Sequence, residues 1–132
     1  MKFEGKVLVI DDESHVRKFV SLILRSVLSA PTIIEVDHSP DAVEIYQRER
    51  PDLVLLDVNM PVQDGIETLR ALFDVDPDCT VVMLSSLATR QTVEEALHLG
   101  AAGYLRKDLS KDEIGSALLK VLAEKYSDDA SP

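Results

Sequence analysis

Acidic and basic side chains come at or near the ends of apolar runs at three widely separated places in this chain. They are Asp11, Asp12, Asp57 and Lys107. The runs before them, at residues 7–10, 53–56 and 103–105, have the composition of buried strands. Because the carboxyl ends of parallel strands meet at one edge of a sheet, these groups would lie close together. Three carboxylates and an ammonium group there indicate a site for a divalent cation and a phosphoryl group.

The size and composition of the chain predict one globular domain. Its 132 residues are 45% hydrophobic, which is enough to bury a core without cross-links. We expect the domain to span residues 5–125 and the polar residues 126–132 to form a tail or the start of a linker. The net charge of -10 repels nucleic acid and anionic membranes. Direct binding to either is therefore not expected.

Cysteine content and hydropathy indicate a cytoplasmic protein. The single cysteine, Cys79, cannot form an intramolecular disulfide and has no basic neighbour, so we expect it to be structural. No apolar stretch reaches the roughly 18 residues of a membrane span, and the first residues lack the apolar region of a secretory signal. The three histidines lack the paired spacing of metal ligands.

Five apolar runs alternate with helically spaced segments along the chain. The predicted strands are residues 7–10, 32–36, 53–56, 81–84 and 101–105. The first, third and fourth are almost wholly aliphatic, as expected for strands covered on both faces, and the other two suit positions nearer an edge. This alternation is typical of βα units. The predicted fold is therefore a doubly wound parallel α/β sheet.

The helices carry predicted core faces and predicted ends. Residues expected to face the core include Val16, Phe19 and Val20 in the first helix and Val93, Ala96 and Leu97 in the fourth. Gly100 is expected to end the fourth helix in the left-handed conformation. Ser110 and Glu113 have the spacing of a capping box at the start of the last helix.

The flavodoxin-like strand order 2-1-3-4-5, which we predict for this (βα)5 sheet, would make the first and third strands neighbours. Asp11, Asp12 and Asp57 would then converge where the strand order reverses. Three close anions are costly without a cation. Mg²⁺ suits the site because it takes hard oxygen ligands, leaves positions open for water, and offsets the charge of a phosphoryl group during transfer.

Each of these features has a simpler structural explanation when taken alone. An Asp-Asp pair after a strand can start a loop and cap a helix, and Lys107 can be a surface residue. The combination is more specific, because Asp57 is followed by Asn59-Met60-Pro61 and by Gly65. A small hydroxyl, Ser85, stands at the end of the fourth predicted strand.

These motifs resemble those of the receiver domains of two-component response regulators. The matching segments are VLVIDDE at 7–13, DVNMPVQDG at 57–65, MLSS at 83–86 and GYLRK at 103–107. The resemblance implies a CheY-like phosphoacceptor switch rather than an enzyme, although it would catalyse its own phosphorylation and dephosphorylation. Its implied partners are a sensor histidine kinase or histidine phosphotransfer protein and a downstream effector or C-terminal output domain. It is also compatible with a phosphorylation-dependent homodimer.

The resemblance also implies roles for individual residues. Asp57 would attack a phosphohistidine to form an aspartyl phosphate. The implied Mg²⁺ ligands are Asp12 and Asp57 directly, Asp11 mainly through a water, and the main-chain carbonyl of Asn59. Lys107 would contact one phosphoryl oxygen and Ser85 another, and Tyr104 would turn inward when Ser85 moves toward the phosphate. Such a contact, made only in the modified state, can shift the population of conformations.

Asp108 departs from the family pattern, which usually has a proline joined to the lysine by a cis peptide. Because a cis bond to a non-proline residue costs about 3 kcal/mol, we expect a trans peptide between Lys107 and Asp108 and a reshaped loop. A Lys-Asp pair at this point resembles receivers attached to helix-turn-helix output domains. A helix-turn-helix output domain is therefore one expected partner.

Two other functions fit parts of the sequence. A phosphohydrolase with an aspartyl nucleophile commonly has a second carboxylate two residues later as general acid, but residue 59 is Asn. A flavodoxin-like ligand-binding module would need Ser, Thr and Gly around a nucleotide phosphate, and the loops after the strands lack this content. The signalling switch is therefore the leading hypothesis.

Overall fold

The computed structural model describes residues 5–37, 39–58, 65–86 and 89–130, apart from the side chains of residues 39 and 126–130. The strands in these ranges are β1 (Lys6–Ile10), β2 (Thr32–Val36), β3 (Leu53–Asp57), β4 (Val81–Ser85) and β5 (Gly103–Arg106). The helices are α1 (Ser14–Val27), α2 (Ala42–Glu49), α3 (Gly65–Val75), α4 (Arg90–Leu99) and α5 (Lys111–Ala130), and a 3₁₀ turn (Ser39–Asp41) precedes α2. The strands form one parallel sheet in the order β2-β1-β3-β4-β5. The predicted fold is confirmed.

Burial in the sheet follows the hydrophobicity of the strands. Every residue of β3 and β4 is buried, and so are the residues of β1 after its first. The outer strands β2 and β5 are only partly covered. The most aliphatic runs therefore occupy the middle of the sheet, where helices cover both faces.

Side chains of the strands alternate between two cores, one on each face of the sheet. Val9, Leu55 and Leu84 pack in the core that α1 and α5 cover. Leu56 and Met83 pack in the core that α2, α3 and α4 cover. This alternation also decides on which face the side chains at the strand ends lie.

Two predicted helix ends are confirmed. α4 ends at Gly100, whose φ of 115° lies in the left-handed region. Before α5, the backbone N–H of Glu113 donates to Ser110 Oγ at 3.2 Å, and the N–H of Ser110 donates to Glu113 Oε1 at 3.3 Å. These reciprocal bonds are the expected capping box. α5 continues to Ala130, so its last turns lie in the stretch expected to be a polar tail.

Two side chains predicted to face the core are instead exposed. Phe19 in α1 is 40% exposed and Leu97 in α4 is 48% exposed. Leu22, one turn beyond Phe19, is 63% exposed. The prediction failed because helical periodicity gives the direction of an apolar stripe but not the width of the surface that covers it. Phe19 and Leu22 therefore form an apolar patch on the outside of α1.

Replacing Ser21 by alanine is expected to stabilise the fold by about 1 kcal/mol. Ser21 is 7% exposed in α1, and its hydroxyl makes no hydrogen bond with the described part of the chain. Alanine removes this buried polar group and has a higher helix propensity. Urea denaturation measures the change, with Ser26→Ala as the control because Ser26 Oγ donates to the carbonyl of Ile23 at 2.7 Å. A destabilised Ser21→Ala would contradict this account.

A hydrogen bond ties α2 to the loop after α3. Tyr46 is 2% exposed, and its hydroxyl donates to Asp76 Oδ2 at 2.6 Å. The backbone N–H of Asp78 donates to Asp76 Oδ1 at 3.0 Å, and Arg50 Nη1 lies 3.6 Å from Asp76 Oδ2. The hydrogen bond from Tyr46, together with these contacts, lowers the pKa of Asp76. Burial and the same hydrogen bond raise the pKa of Tyr46.

Asp76→Asn is expected to lose about 1 kcal/mol of stability near neutral pH, the difference between a charged and a neutral hydrogen bond. Because the folded-state pKa of Asp76 is depressed, its contribution is present above the unfolded-state value of about 3.9 and is lost as the pH falls through the folded value. The stability difference between variant and wild type should shrink over that acidic range. Urea denaturation at a series of pH values checks this, and a difference independent of pH would contradict it.

Candidate functional site

Backbone pairing continues past the ends of the strands and fixes the loops that carry the predicted site residues. The N–H of Asp11 donates to the carbonyl of Val36 at 3.0 Å, and the N–H of Lys107 donates to the carbonyl of Ser85 at 2.7 Å. Asp57 is the last residue of β3. It follows Leu55 by two positions, so strand alternation directs its side chain toward the α1 and α5 side.

The ammonium group of Lys107 lies between two buried carboxylates. Its Nζ is 2.9 Å from Asp11 Oδ2 and 3.1 Å from Asp57 Oδ1. Asp11 is 0% exposed and Asp57 is 1% exposed. Because charges shielded from water interact more strongly, Lys107 offsets much of the repulsion between the carboxylates. The structure thus brings together three of the predicted site residues from three different strand ends.

The charge of Lys107 is set by two opposing influences. Burial by itself would lower its pKa, because burial disfavours the ammonium form. The hydrogen bond and charge of Asp11, and those of Asp57, overcome burial and raise the pKa of Lys107 above its ordinary value. Lys107 is therefore a permanent cation at physiological pH, suited to meet an anion.

Asp12 and Glu13 complete an acidic group with the two buried aspartates. One carboxylate oxygen from each of Asp11, Asp12, Glu13 and Asp57 lies within 4.8 Å of the others. Asp12 and Glu13 are exposed, so the group opens to solvent on one side. This all-oxygen donor set fits Mg²⁺, which combines a few carboxylates with water and phosphoryl oxygens.

Glu13 is a site residue that the sequence did not single out. Its Oε1 lies 3.3 Å from Lys107 Nζ, and its Oε2 lies 3.6 Å from Nε2 of His15. Its backbone N–H donates to Asp11 Oδ1 at 2.8 Å. The available signal was its place as the third acidic residue after β1, but nothing in the pattern showed that its side chain reaches Lys107.

Ser85 and Tyr104 lie on the opposite face of the sheet from Asp57. Strand alternation directs Ser85, like Met83, toward the α2, α3 and α4 side, and Tyr104 packs against the same core. Met83 pairs with Tyr104 in the register, so Ser85 and Tyr104 are diagonal neighbours. The Tyr104 hydroxyl is buried and has no hydrogen-bond partner among the described residues. Asn59, the remaining predicted ligand, lies outside the described residues.

Comparison with known proteins identifies the family. A family model, the response regulator receiver domain, matches residues 7–119. The chain belongs to this family. The receiver domain is 31% identical over 117 residues to the chemotaxis protein CheY of Halobacterium salinarum, covering 89% of this chain and 96% of that protein. It is 33% identical over 119 residues to the transcriptional regulatory protein DegU of Brevibacillus brevis, covering 90% of this chain and 50% of DegU.

A solved structure agrees with this assignment. The receiver domain superposes on the CheX-CheY-BeF3-Mg+2 complex from Borrelia burgdorferi with a TM-score of 0.82 and 29% identity. The alignment covers 89% of this chain and 88% of that chain. The CheY-like arrangement of the two-component family is therefore shared in fold as well as in sequence.

The loop after β5 of this receiver domain contains the departure noted in the sequence. The described residues contain no cis peptide bond, so the peptide between Lys107 and Asp108 is trans, as predicted. Arg106 Nη2 donates to Asp108 Oδ2 at 2.6 Å. Asp108 is thereby held by the residue two positions before it, while Lys107 still reaches the carboxylates.

A cleft of about 360 Å³ lies beside Lys107, between α1 and the loop that leads into α5. Its apolar wall consists of Val16, Phe19, Val20, Leu84 and Ile114, and its polar lining includes Glu13, His15, Ser86 and Asp108. Phe19 thus connects the cleft to the exposed patch on α1. The receiver domain offers an apolar surface immediately next to its charged site.

The remaining residues with reactive side chains show no second site in the described parts of the receiver domain. Cys79 is buried, and burial, with the charge of Asp76, raises the pKa of its thiol to about 12. The thiol is therefore neutral at physiological pH.

Among the described residues, no helix is long and apolar enough to span a bilayer.

Proposed function

We propose that this receiver domain accepts a phosphoryl group on Asp57 from the phosphohistidine of a sensor histidine kinase or a histidine phosphotransfer protein. The observation that carries the proposal is the Lys107 ammonium group held between buried Asp57 and Asp11 at the carboxyl ends of parallel strands. An acceptor carboxylate and a fixed cation then lie side by side in a site that opens to solvent through Asp12 and Glu13.

The proposed transfer converts a phosphoramidate into an acyl phosphate. A carboxylate oxygen of Asp57 attacks phosphorus, a P–O bond forms, and the P–N bond breaks with its electron pair leaving on the imidazole. Lys107 can exchange its contact with Asp57 Oδ1 for one with a phosphoryl oxygen while it keeps Asp11. This contact stabilises the charge on the transferring group. We propose that the domain catalyses hydrolysis of the acyl phosphate as well.

The proposed cofactor is Mg²⁺, held by Asp12 and Asp57 directly, by Asp11 through a water, and by the main-chain carbonyl of Asn59. When bound, the ion supplies positive charge that offsets the phosphoryl oxygens. Support comes from the carboxylate group that fits such an ion and from the Mg²⁺ in the related CheY complex. The chain itself holds Asp11 ready through Glu13 N–H on Oδ1 and Lys107 on Oδ2.

The proposed output depends on Ser85 and Tyr104. The Ser85 hydroxyl would donate to a phosphoryl oxygen once Asp57 is modified, and Tyr104 would follow because the two side chains are diagonal neighbours. A hydroxyl that gains a strong acceptor in only one of two states stabilises that state. This supplies the free-energy difference that a conformational switch needs. We expect the change to appear in α4, β5 and α5.

The proposed partners follow from the surfaces and the relatives. The cleft beside Lys107 and the patch of Phe19 and Leu22 would offer the phosphodonor protein an apolar surface next to the charged site. The output partner is either a separate effector or an attached output domain, for which the match to half of a transcriptional regulator gives support. A phosphorylation-dependent homodimer is part of the same proposal. The net charge of -10 and the single cysteine support a cytoplasmic switch without nucleic acid or membrane contacts of its own.

Phosphorylation by acetyl phosphate with Mg²⁺ tests the proposal. Intact-mass measurement should show the addition of one phosphoryl group, labile to hydroxylamine, to the wild type and to the control Asp74→Asn, which alters an exposed aspartate on α3. Asp57→Asn should show none. An undiminished adduct in Asp57→Asn, or no adduct in the wild type, would overturn the assignment of Asp57.

A further inference from the structure

The side chain of Arg17 makes two polar contacts beside the acidic group without belonging to it. Its Nη1 donates to the main-chain carbonyl of Asp11 at 2.7 Å, and its Nε donates to Glu35 Oε1 at 3.2 Å. The Arg17 side chain is 15% exposed. Arg17 therefore connects α1, the loop that carries Asp11 and Asp12, and the edge strand β2.

We propose that Arg17 is a positioning residue that fixes the peptide between Asp11 and Asp12 and thereby pre-organises the carboxylates for Mg²⁺. This inference rests on the proposed function, because it concerns the same cation site. Arg17 would touch neither the cation nor the phosphoryl group. It would act by holding the carbonyl of the residue that precedes Asp12.

Asp11 is held at every polar atom, and Arg17 supplies the restraint on its carbonyl. The N–H of Asp11 donates to Val36, Oδ1 accepts from the N–H of Glu13, and Oδ2 contacts Lys107. Asp12 is different, because its exposed carboxylate makes no hydrogen bond or ion pair with the described residues. Its direction therefore depends on the backbone, and the peptide plane before it is the one that Arg17 holds.

Loss of the Arg17 side chain has two opposing effects on cation binding. Removing a positive charge near the carboxylates would strengthen binding, whereas freeing the peptide would weaken it. The charge effect is expected in any neutral variant, and Arg17→Lys, which keeps the charge, separates it from the positioning effect. Partners that orient metal ligands typically change metal affinity by about 10–100-fold. The positioning effect should therefore decide the sign.

Titration calorimetry with Mg²⁺ tests whether loss of the Arg17 side chain weakens or strengthens cation binding. Arg17→Met, which keeps an apolar stem, should bind Mg²⁺ at least about tenfold more weakly than the wild type. Arg17→Lys keeps the charge but lacks the planar guanidinium that contacts both partners. Its Mg²⁺ affinity should therefore fall between those of Arg17→Met and the wild type. Tyr46→Phe removes a hydrogen bond remote from the site and serves as the control for destabilisation, with wild-type Mg²⁺ affinity expected.

Amide hydrogen exchange in chelator gives a readout without metal. The N–H of Glu13, bonded to Asp11 Oδ1, should exchange faster in Arg17→Met than in the wild type and in Tyr46→Phe. If the substitutions only destabilised the fold, exchange would instead become faster in the central strands of Arg17→Met and of Tyr46→Phe alike.

The outcomes separate this inference from the proposed function. A wild type that fails to bind Mg²⁺ overturns the cation site itself, and the positioning role with it. A wild type that binds while Arg17→Met binds equally or more tightly overturns the positioning role alone. If Arg17→Met does not fold, Arg17→Lys decides, since equal affinity to wild type would contradict the need for both contacts and weaker affinity would support it.

Discussion

Replacing Lys107 by methionine is expected to lower the free energy of unfolding by about 3–5 kcal/mol in metal-free buffer. The ammonium group lies within 3.1 Å of oxygens on two carboxylates that are almost completely buried. Methionine keeps the apolar stem but leaves these like charges close together without the cation between them. Urea denaturation in chelator measures the loss.

The response to Mg²⁺ is the second readout of this variant. A bound cation would take over part of the compensation that Lys107 provides, so Mg²⁺ should raise the melting temperature more in Lys107→Met than in the wild type. Lys120→Met, an exposed position on α5, is the control and should behave like the wild type in both buffers. Wild-type stability of Lys107→Met in chelator would contradict the compensating role.

Gly65→Ala is expected to destabilise the fold by about 3 kcal/mol or more and to impair phosphorylation of Asp57. A Cβ at Gly65 would lie 2.4 Å from the main-chain oxygen of Asp57 and 2.5 Å from the Cα of Val58. Both neighbours are backbone atoms, so no side-chain rotation can relieve the overlap. The backbone that carries Asp57, the proposed acceptor, must move, which should lower both the stability and the rate of labelling by acetyl phosphate.

Gly103→Ala is the matched control for this substitution. Its Cβ would meet methyl groups of Val121 and Val82 at 3.8 Å, which is ordinary van der Waals contact. We expect its stability to remain within about 1 kcal/mol of the wild type and its phosphorylation to be unchanged. Gly65→Ala with wild-type stability would show that the backbone near Asp57 adjusts without cost, against this prediction.

Hydrophobic runs located the strands because strands covered on both faces are nearly uniform in composition. They placed the ends less well, since Asp57 and Ser85 are the last residues of β3 and β4 rather than the first residues after the apolar runs. Pairing such as the Val58 N–H with the carbonyl of Leu84 at 2.9 Å extends the ladder. These bonds depend on neighbouring strands, which hydropathy does not report.

The contacts around the site were harder to predict from the sequence than the residues that form the site. Lys107 and Asp57 could be placed at one sheet edge, whereas Glu13 was marked only by its place after β1 and Arg17 had no signal of its own. Arg17 acts on the carbonyl of Asp11 and on Glu35 from another strand, so its contacts exist only after the chain has folded. The exposure of Phe19 was missed for a related reason, because neighbouring elements set how far a helix is covered.

The separation of Asp57 from the Ser85 and Tyr104 pair by one sheet has an evolutionary consequence. In the proposed switch, the donor protein would engage the cleft beside α1, whereas the readout would begin at Ser85 and Tyr104 on the other face of the sheet. On this proposal, substitutions at the exposed Phe19 or Leu22 would change the fit to the donor without touching Ser85 or Tyr104. Duplicated copies of such a domain can acquire a new donor and a new target in separate steps, each of which preserves a working switch.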